Sequence, residues 1–421
     1  MKIKWISIIP LIGGMSLGSK NAFKSYPEAI LSYTPFKNND QHLLDYWNYN
    51  DYFIIDENSN KLPDNLKLSE IDVVNTVCPC AGLSTLSTSE SRGENSHQNE
   101  WLYKSAHLIL GQVKPKVFVG ENAPGLFTLT GSGVVDKLKL IGKKYGYTLS
   151  LYKTCNSQFG VPQKRMRTFY FFWKDKQTPI LPWINKSYKK MSEFLDEVPQ
   201  NTKYHDIQYK TELLDNEFLW NLLKSEFTND TKKLREIIFN SWPGKNAISV
   251  YKFLFNKNIN QNINKVNNYC NKIIKNSNDA TKIKEAQTVL KRVASIHKKV
   301  INNKNFWDGT MKFIRDDCTS AVIFKNDFKD VHPTQDRFLT FREQMHLMKL
   351  PHDFNLGVDL ESDINNKNVI AQNVIVDTAE KISEWILDYL NNKLELENTN
   401  FLTQDNTNKK VIFTTKNKNL F

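Results

Sequence analysis

Cys80 lies in Val77-Cys78-Pro79-Cys80-Ala81-Gly82-Leu83-Ser84, directly after the apolar run Ile71–Val77, which reads as a strand. The carboxyl end of a parallel strand is where α/β folds gather their ligands. A thiol there could act as a nucleophile, provided its surroundings help to form the thiolate. The same cysteine could be an inert structural thiol. Glu121 follows three apolar strand residues in Lys116–Leu126 (KVFVGENAPGL). At that strand end its carboxyl group would share a crevice with Cys80, although a glutamate in such a turn is also an ordinary solvated residue. Val161–Trp173 (VPQKRMRTFYFFW) opens with Gln163, Arg165 and Arg167. Alternation along a strand puts these three on one face. Two guanidinium groups on one face suit a phosphate or the polar edge of a base; a charged strand entry is the plainer alternative.

These residues need a scaffold, and residues 1–174 have the pattern of one. Lys4–Pro10 reads as a strand, followed by a turn over Leu11–Gly18 and a helix from Ser19. Gln98–Gln112 has helical apolar spacing at Trp101, Leu102, Ala106 and Leu110. Val117–Val119 reads as a buried strand, Val134–Tyr145 as a helix, and Tyr147–Lys153 and Met166–Trp173 as strands. Such alternation predicts an α/β fold, a mainly parallel sheet with helices on both faces. Residues 175–330 are richer in Lys, Asn and aromatics, with Lys-rich helical stretches such as Ala280–Val300, and read as a second domain. Residues 337–350 and 374–390 are strongly patterned again, the latter as an amphipathic helix, and the segment 331–394 is expected to return to the first domain. Residues 395–421, rich in Asn, Thr and Lys, read as a loosely held polar tail.

Composition narrows the classes. The 421 residues suffice for two or three domain-sized units. A mean hydropathy of −0.51 describes a soluble chain, and no run reaches the roughly 18 apolar residues of a membrane span. Lys2 and Lys4 ahead of Trp5–Ile12 have the outline of a short secretory leader, but read better as a strand entering a glycine turn. The five cysteines, Cys78, Cys80, Cys155, Cys270 and Cys318, contain no CxxC pair and no partner set for zinc. Their odd number argues against a disulfide framework. A reducing cytoplasm is the simplest compartment, and no metal is expected. The net charge is +12, and Ser241–Arg315 alone carries 15 Lys and Arg against Asp279, Glu285 and Asp308. That local excess equals the excess of the whole chain and suits a polyanion, unless it only reflects the Lys- and Asn-rich composition.

Taken in order, these elements resemble the DNA (cytosine-5) methyltransferase family. Pro79-Cys80 resembles its catalytic Pro-Cys, Glu121-Asn122-Ala123 its Glu-Asn-Val, and Gln163, Arg165 and Arg167 its Gln-x-Arg-x-Arg. Arg337-Phe338-Leu339-Thr340-Phe341-Arg342-Glu343, with Pro351, Asp353 and Phe354 beyond, resembles the element that follows the recognition domain. Gln372-Asn373-Val374 resembles the family's Gly-Asn-(Ala/Ser)-Val. Five such elements in sequence order make a specific match.

The resemblance implies a Rossmann-like S-adenosylmethionine-dependent methyltransferase fold, with a catalytic domain over 1–174 and a smaller target-recognition domain over 175–330. It implies Cys80 as the nucleophile toward carbon 6 of a cytosine and Glu121 at ring nitrogen 3. Arg167 would meet the carbonyl oxygen, and Arg165 would support a backbone phosphate or Glu121. S-adenosylmethionine would sit against Leu11, Gly13 and Gly14 of the glycine turn. Asp56 would meet its adenine amino group, Leu102 would pack on the adenine, and Pro79, Asn373 and Val374 would complete the pocket. The partner would be double-stranded DNA, bound by a monomer with the target base flipped out. Leu83–Asn99 resembles the family's mobile loop that closes over that base. Ser84 and Arg92 on this loop, with Gln163, Lys291 and Arg292, are expected at the DNA. The chain also departs from the pattern. The second strand offers Ser32, Tyr33 and Thr34, with Glu28 early, where the family carries a ribose-binding acid; Ala81 stands for a Gln and Gln372 for a Gly. The alternatives are a transfer-RNA cytosine methyltransferase on the same scaffold and a catalytically silent DNA-binding relative.

Overall fold

Short runs rich in Val, Ile, Leu and Phe, with their few polar residues buried as well, place four strands at the centre of a nine-stranded sheet. These are β1 (Trp5–Ile8), β2 (Ala29–Tyr33), β4 (Val73–Thr76) and β5 (Val117–Asn122), each buried along its whole length. Strands covered on both faces lose the alternation of half-exposed ones, which is why they read so clearly in the sequence. The remaining strands are β3 (Tyr52–Ile55), β6 (Thr148–Cys155), β7 (Met166–Trp173), β8 (Phe401–Asp405) and β9 (Lys410–Phe413). Their order is β9-β8-β6-β7-β5-β4-β1-β2-β3. The structure is a computed structural model in which residues 2–84, 92–306, 311–320, 329–356 and 370–413 are described.

The chain starts in the sheet's interior, winds outward through β2 and β3, and then returns to β4 on the other side of β1. All of β3, β2, β1, β4 and β5 run parallel. The reversal of winding between β1 and β4 is the switch point at whose carboxyl edge open α/β sheets bind ligands. The turn after β1 and the Val77–Cys80 segment after β4 both lie there. β7 departs from the parallel expectation, running antiparallel to β5 and to β6.

Two further differences have physical causes. Helix α1 spans Gly14–Phe23 and begins well before Ser19. It contains Gly14 and Gly18 because the C-terminal helix α2 (Val376–Leu390) and the residues just before it approach α1 at backbone distance. A Cβ on Gly14 would fall 2.0 Å from the Val374 carbonyl oxygen, and one on Gly18 would fall 2.6 Å from the Ala379 Cβ. What reads as a flexible turn is therefore a close helix contact. The polar 395–421 segment is not a loose tail over its described part. β8 pairs parallel with β6 and then turns into β9, extending the sheet at its edge. Three side chains do this work: Leu402 is fully buried, while Gln404 and Asn406 bond the backbone of Leu181 and Ile184.

The chain divides into two compact units, Met1–Tyr188 with Leu347–Phe421, and Lys189–His346. The second unit is mainly helical. It carries a three-stranded sheet of Ala247–Ser249, Lys312–Ile314 and Asp330–Val331. Its two longest helices, Ile259–Asn276 and Ala280–Ile301, bury Ile263, Val266 and Cys270 and Ala286, Val289, Val293 and Ile296 in its core. Arg337 through Glu343, expected with the first domain, belongs to this second unit. Thr340 and Glu343 cap the helix Phe341–His346: the Glu343 N–H bonds the Thr340 hydroxyl, and the Glu343 carboxylate accepts from the Thr340 N–H at 2.7 Å. The buried Arg337 guanidinium holds the same carboxylate with two bonds of 2.8 and 2.6 Å. The motif is a structural clasp within its unit.

Candidate active site

The parallel register of β4 and β5 pairs Thr76 with Gly120, so Glu121 and the Val77–Cys80 turn leave adjacent strands at the same edge. In the antiparallel pairing of β5 with β7, Glu121 faces Phe169. Arg167, two residues earlier on β7, is then its diagonal neighbour on the same face. The Arg167 Nε indeed contacts the Glu121 Oε1. Glu121 is 2% exposed, and burial pushes its carboxyl up while Arg167 and Arg165 pull it down. The group is thus poised to keep or share a proton in a site that carries positive charge nearby.

Cys80 is partly exposed, whereas Cys78 is buried among Thr76, Ser105 and Tyr170. Of these two cysteines, Cys80 is the one with some exposure. Burial raises its pKa, Arg167 and Arg165 oppose that, and Glu121 reinforces it. These mutual charges place the thiol, the carboxylate and both guanidinium groups in one neighbourhood. Arg165 is 2% exposed, and it donates from Nη2 to the Ala371 carbonyl and, at 3.1 Å, to that of Asn373. A side chain so buried is a brace beneath the site, and its charge acts on Glu121, one of the two supporting roles expected for it. Gln163 is likewise buried and donates to the Leu347 carbonyl at 3.1 Å.

The turn after β1 is strained. Ile9, Leu11 and Gly13 all have positive φ, at 51°, 53° and 98°. Left-handed backbone costs a non-glycine residue about 1–3 kcal/mol, and such strain gathers at ligand sites. The turn is held from one side by Asn373, whose Oδ1 accepts the Gly14 N–H at 2.8 Å. That bond fixes the amide's orientation, and its Nδ2 is then a buried donor without a partner among the described residues. Asp56 stands exposed just past β3, its carboxyl held below the usual range by the Asn58 N–H and Ser59. The two form a donor and an acceptor at the carboxyl edge of one sheet.

A family model described as C-5 cytosine-specific DNA methylase matches residues 3–388. The chain belongs to that family. Among curated relatives, the Type II methyltransferase M.BbvI of Brevibacillus brevis is 30% identical over 193 residues, covering 44% of this chain and 45% of its own. The Type II methyltransferase M.AgeI of Thalassovita gelatinovora is 31% identical over 108 residues, covering 26% of this chain and 24% of its own. The chain thus spans less than half the length of these relatives. Two solved structures share the fold. The Entamoeba histolytica methyltransferase EhMeth matches with a TM-score of 0.51 at 11% identity, over 93% of this chain and 99% of its own. A DNA modification methyltransferase encoded within a prophage of E. coli matches with a TM-score of 0.50 at 15% identity, over 92% and 99%.

Pro79 is partly buried beside Cys80, and Val374 is buried next to Asn373. Leu102 is fully buried in the helix Glu100–Leu108. The partly exposed ring beside it is Trp101, which packs on Tyr33 and Phe36 with centroids 5.0 Å away in each case. Ser84 and Arg92 flank residues 85–91, the middle of the expected mobile loop, which lie outside the described residues. The loop's two ends are tied, the Gly93 N–H donating to the Gly82 carbonyl at 2.8 Å. Lys291 and Arg292 are exposed on the helix Ala280–Ile301 of the second unit. No helix among the described residues is long and apolar enough to cross a membrane. The sequence reading missed Asp40, a fully buried acid, though its spacing to Leu43, Leu44 and Trp47 along one helix face marks it.

Proposed function

We propose that the protein methylates carbon 5 of a cytosine in double-stranded DNA, through a covalent adduct between Cys80 and carbon 6 of a flipped-out base. The observation that carries this reading is the thiol of the partly exposed Cys80 sharing one charged neighbourhood with the buried Glu121 and with Arg167. Carbon 5 of cytosine is a weak nucleophile until carbon 6 is saturated. Addition of the Cys80 thiolate to carbon 6 makes carbon 5 enamine-like. Glu121 would hold the proton at ring nitrogen 3 as charge develops, a role its raised pKa favours. Arg167 would bind the carbonyl oxygen and help to offset the thiolate charge. After methylation, loss of the carbon-5 proton and expulsion of the Cys80 thiolate restore the ring. A stacked base cannot offer both its face and its edge to these groups, so it must leave the helix.

S-adenosylmethionine would supply an electrophilic methyl group. Its carboxylate and adenine amine suit the chain's own groups at the carboxyl edge: the Asn373 Nδ2, without a partner among the described residues, beside the strained turn, and the Asp56 carboxylate beyond it. Pro79 and Val374 would complete the pocket, and the protein would act as a monomer.

DNA carrying 5-fluorocytosine tests the mechanism. Fluorine cannot leave as the carbon-5 proton does, so the wild-type protein with cofactor is expected to stay covalently joined to such DNA on a denaturing gel. A clean failure to trap removes Cys80 as nucleophile. Transfer RNA offered in parallel with tritiated cofactor is expected to stay unlabelled.

The exposed basic residues of the second unit would grip phosphates. Changing Lys291 and Arg292 together to glutamine is expected to weaken binding to all duplexes alike. If both contact phosphate, the slope of log affinity against log salt should become shallower by about 2. Fluorescence anisotropy at several salt concentrations reads this slope directly, and an unchanged slope would take the helix off the DNA.

A further inference from the structure

We infer that Asp40 is a positioning residue for the cofactor site, its carboxylate holding the turn after β1 in the left-handed form that would receive the ligand. The inference rests on the reading of that turn as the S-adenosylmethionine site. Asp40 lies in the helix Lys37–Trp47, on the face that buries Leu43, Leu44 and Trp47, and is itself fully buried. A carboxylate in such a place is costly unless its oxygens are bonded. Its Oδ1 accepts the Leu11 N–H at 3.0 Å, and its Oδ2 accepts the Tyr52 hydroxyl at 3.1 Å; Ser32 also faces it.

The Leu11 contact matters most because Leu11 has a φ of 53°, two residues after Ile9 at 51°. Neither residue relaxes into that conformation unaided, least of all the β-branched Ile9. Asn373 braces the far side of the turn through Gly14, and Asp40 braces the near side through Leu11. Asp40 is too buried to touch a ligand itself, so its effect must pass through the turn. The family's acid at the end of β2 is replaced here by Ser32, Tyr33 and Thr34, and the buried acid of this region is Asp40 instead. Burial pushes its carboxyl up to about 7, so the neutral amide of asparagine is a near substitute for it.

The test is binding of S-adenosylhomocysteine to the full chain by titration calorimetry, with hydrogen exchange of the peptide containing residues 9–13. Asp40→Ala is expected to weaken binding at least 10-fold and to speed exchange in that peptide without speeding it in the second unit. Asp40→Asn, which keeps an acceptor for Leu11, is expected to stay within about 3-fold of wild type. Tyr52→Phe removes a donor to Asp40 but leaves the Leu11 bond, and should lower stability while leaving affinity within about 3-fold. If Asp40→Ala fails to fold, the other two variants decide: a 10-fold loss in either overturns the positioning role. A folded Asp40→Ala protein with wild-type affinity overturns it too. Wild-type protein that binds no S-adenosylhomocysteine overturns the cofactor reading itself, a distinct outcome that also removes this inference.

Discussion

Cys80→Ser is expected to lose methyl transfer by about 10⁴-fold or more, in keeping with removal of a nucleophile from a site that acts as a unit. Binding of DNA and of S-adenosylhomocysteine should persist. The hydroxyl is close in size to the thiol but far less acidic, so what is removed is the nucleophile and little else. Cys78 cannot take over. It is fully buried, with its sulfur against Thr76, Ser105, Tyr170 and the Trp101 carbonyl, and burial pushes its thiol up. The companion variant Cys78→Ala should therefore keep its rate and lose some stability, the reverse pattern. Tritium transfer and a gel shift, run on both proteins, separate the two thiols. Appreciable turnover by Cys80→Ser, or equal loss in both variants, would defeat the covalent route.

How legible the site was depends on what each residue type had to satisfy. Cys80 and Glu121 could be placed because fully buried parallel strands leave continuous apolar runs, and the functional side chains follow where those runs stop. The pairing of Glu121 with Arg167 was not legible, since it follows from β7 running antiparallel to β5. An eight-residue apolar strand carries no mark of its direction. The burial of Arg165 was not legible for a related reason: alternation placed it on the same face as Gln163 and Arg167, but which face is covered depends on Ala371–Asn373, some 200 residues away in sequence. Gly14 and Gly18 read as a loop because glycine disfavours helix interiors, and only the crossing of α2 shows why the helix tolerates them. The edge strands β8 and β9 were hidden by composition. Their polar residues looked unstructured, yet Gln404 and Asn406 spend their amides on the backbone of the neighbouring segment.

The covered guanidinium of Arg165 yields the other large expected effect. Arg165→Met keeps much of the side chain's volume but removes its charge and its donors. The carbonyls of Ala371 and Asn373 lose their bonds to it, and Glu121 loses one of the two cations that favour its ionised form. Breaking a buried ionic arrangement by removing one partner typically costs about 3–5 kcal/mol, because the group left behind stays desolvated. Burial and the neighbouring Arg167 already push the Arg165 pKa down to about 9, so the site carries this charge at some expense and the lower part of that range is the sounder expectation. The damage should also travel. Asn373 braces Gly14 through its side chain while its carbonyl rests on Arg165, so affinity for S-adenosylhomocysteine should fall as well. Arg167→Met supplies the contrast. Its side chain is 14% exposed, donates to the adjacent Met166 carbonyl and pairs with the buried Glu121, whose carboxyl burial already pushes up and which can keep a proton once that cation is gone. It should unfold near the wild-type denaturant concentration yet slow methyl transfer by roughly 10²–10³-fold, the usual loss when one donor to a developing charge is removed. Denaturant unfolding and single-turnover rates measured on both variants should separate a brace from a participant. If Arg165→Met proves as stable as Arg167→Met, the guanidinium beneath the site is not what holds it together.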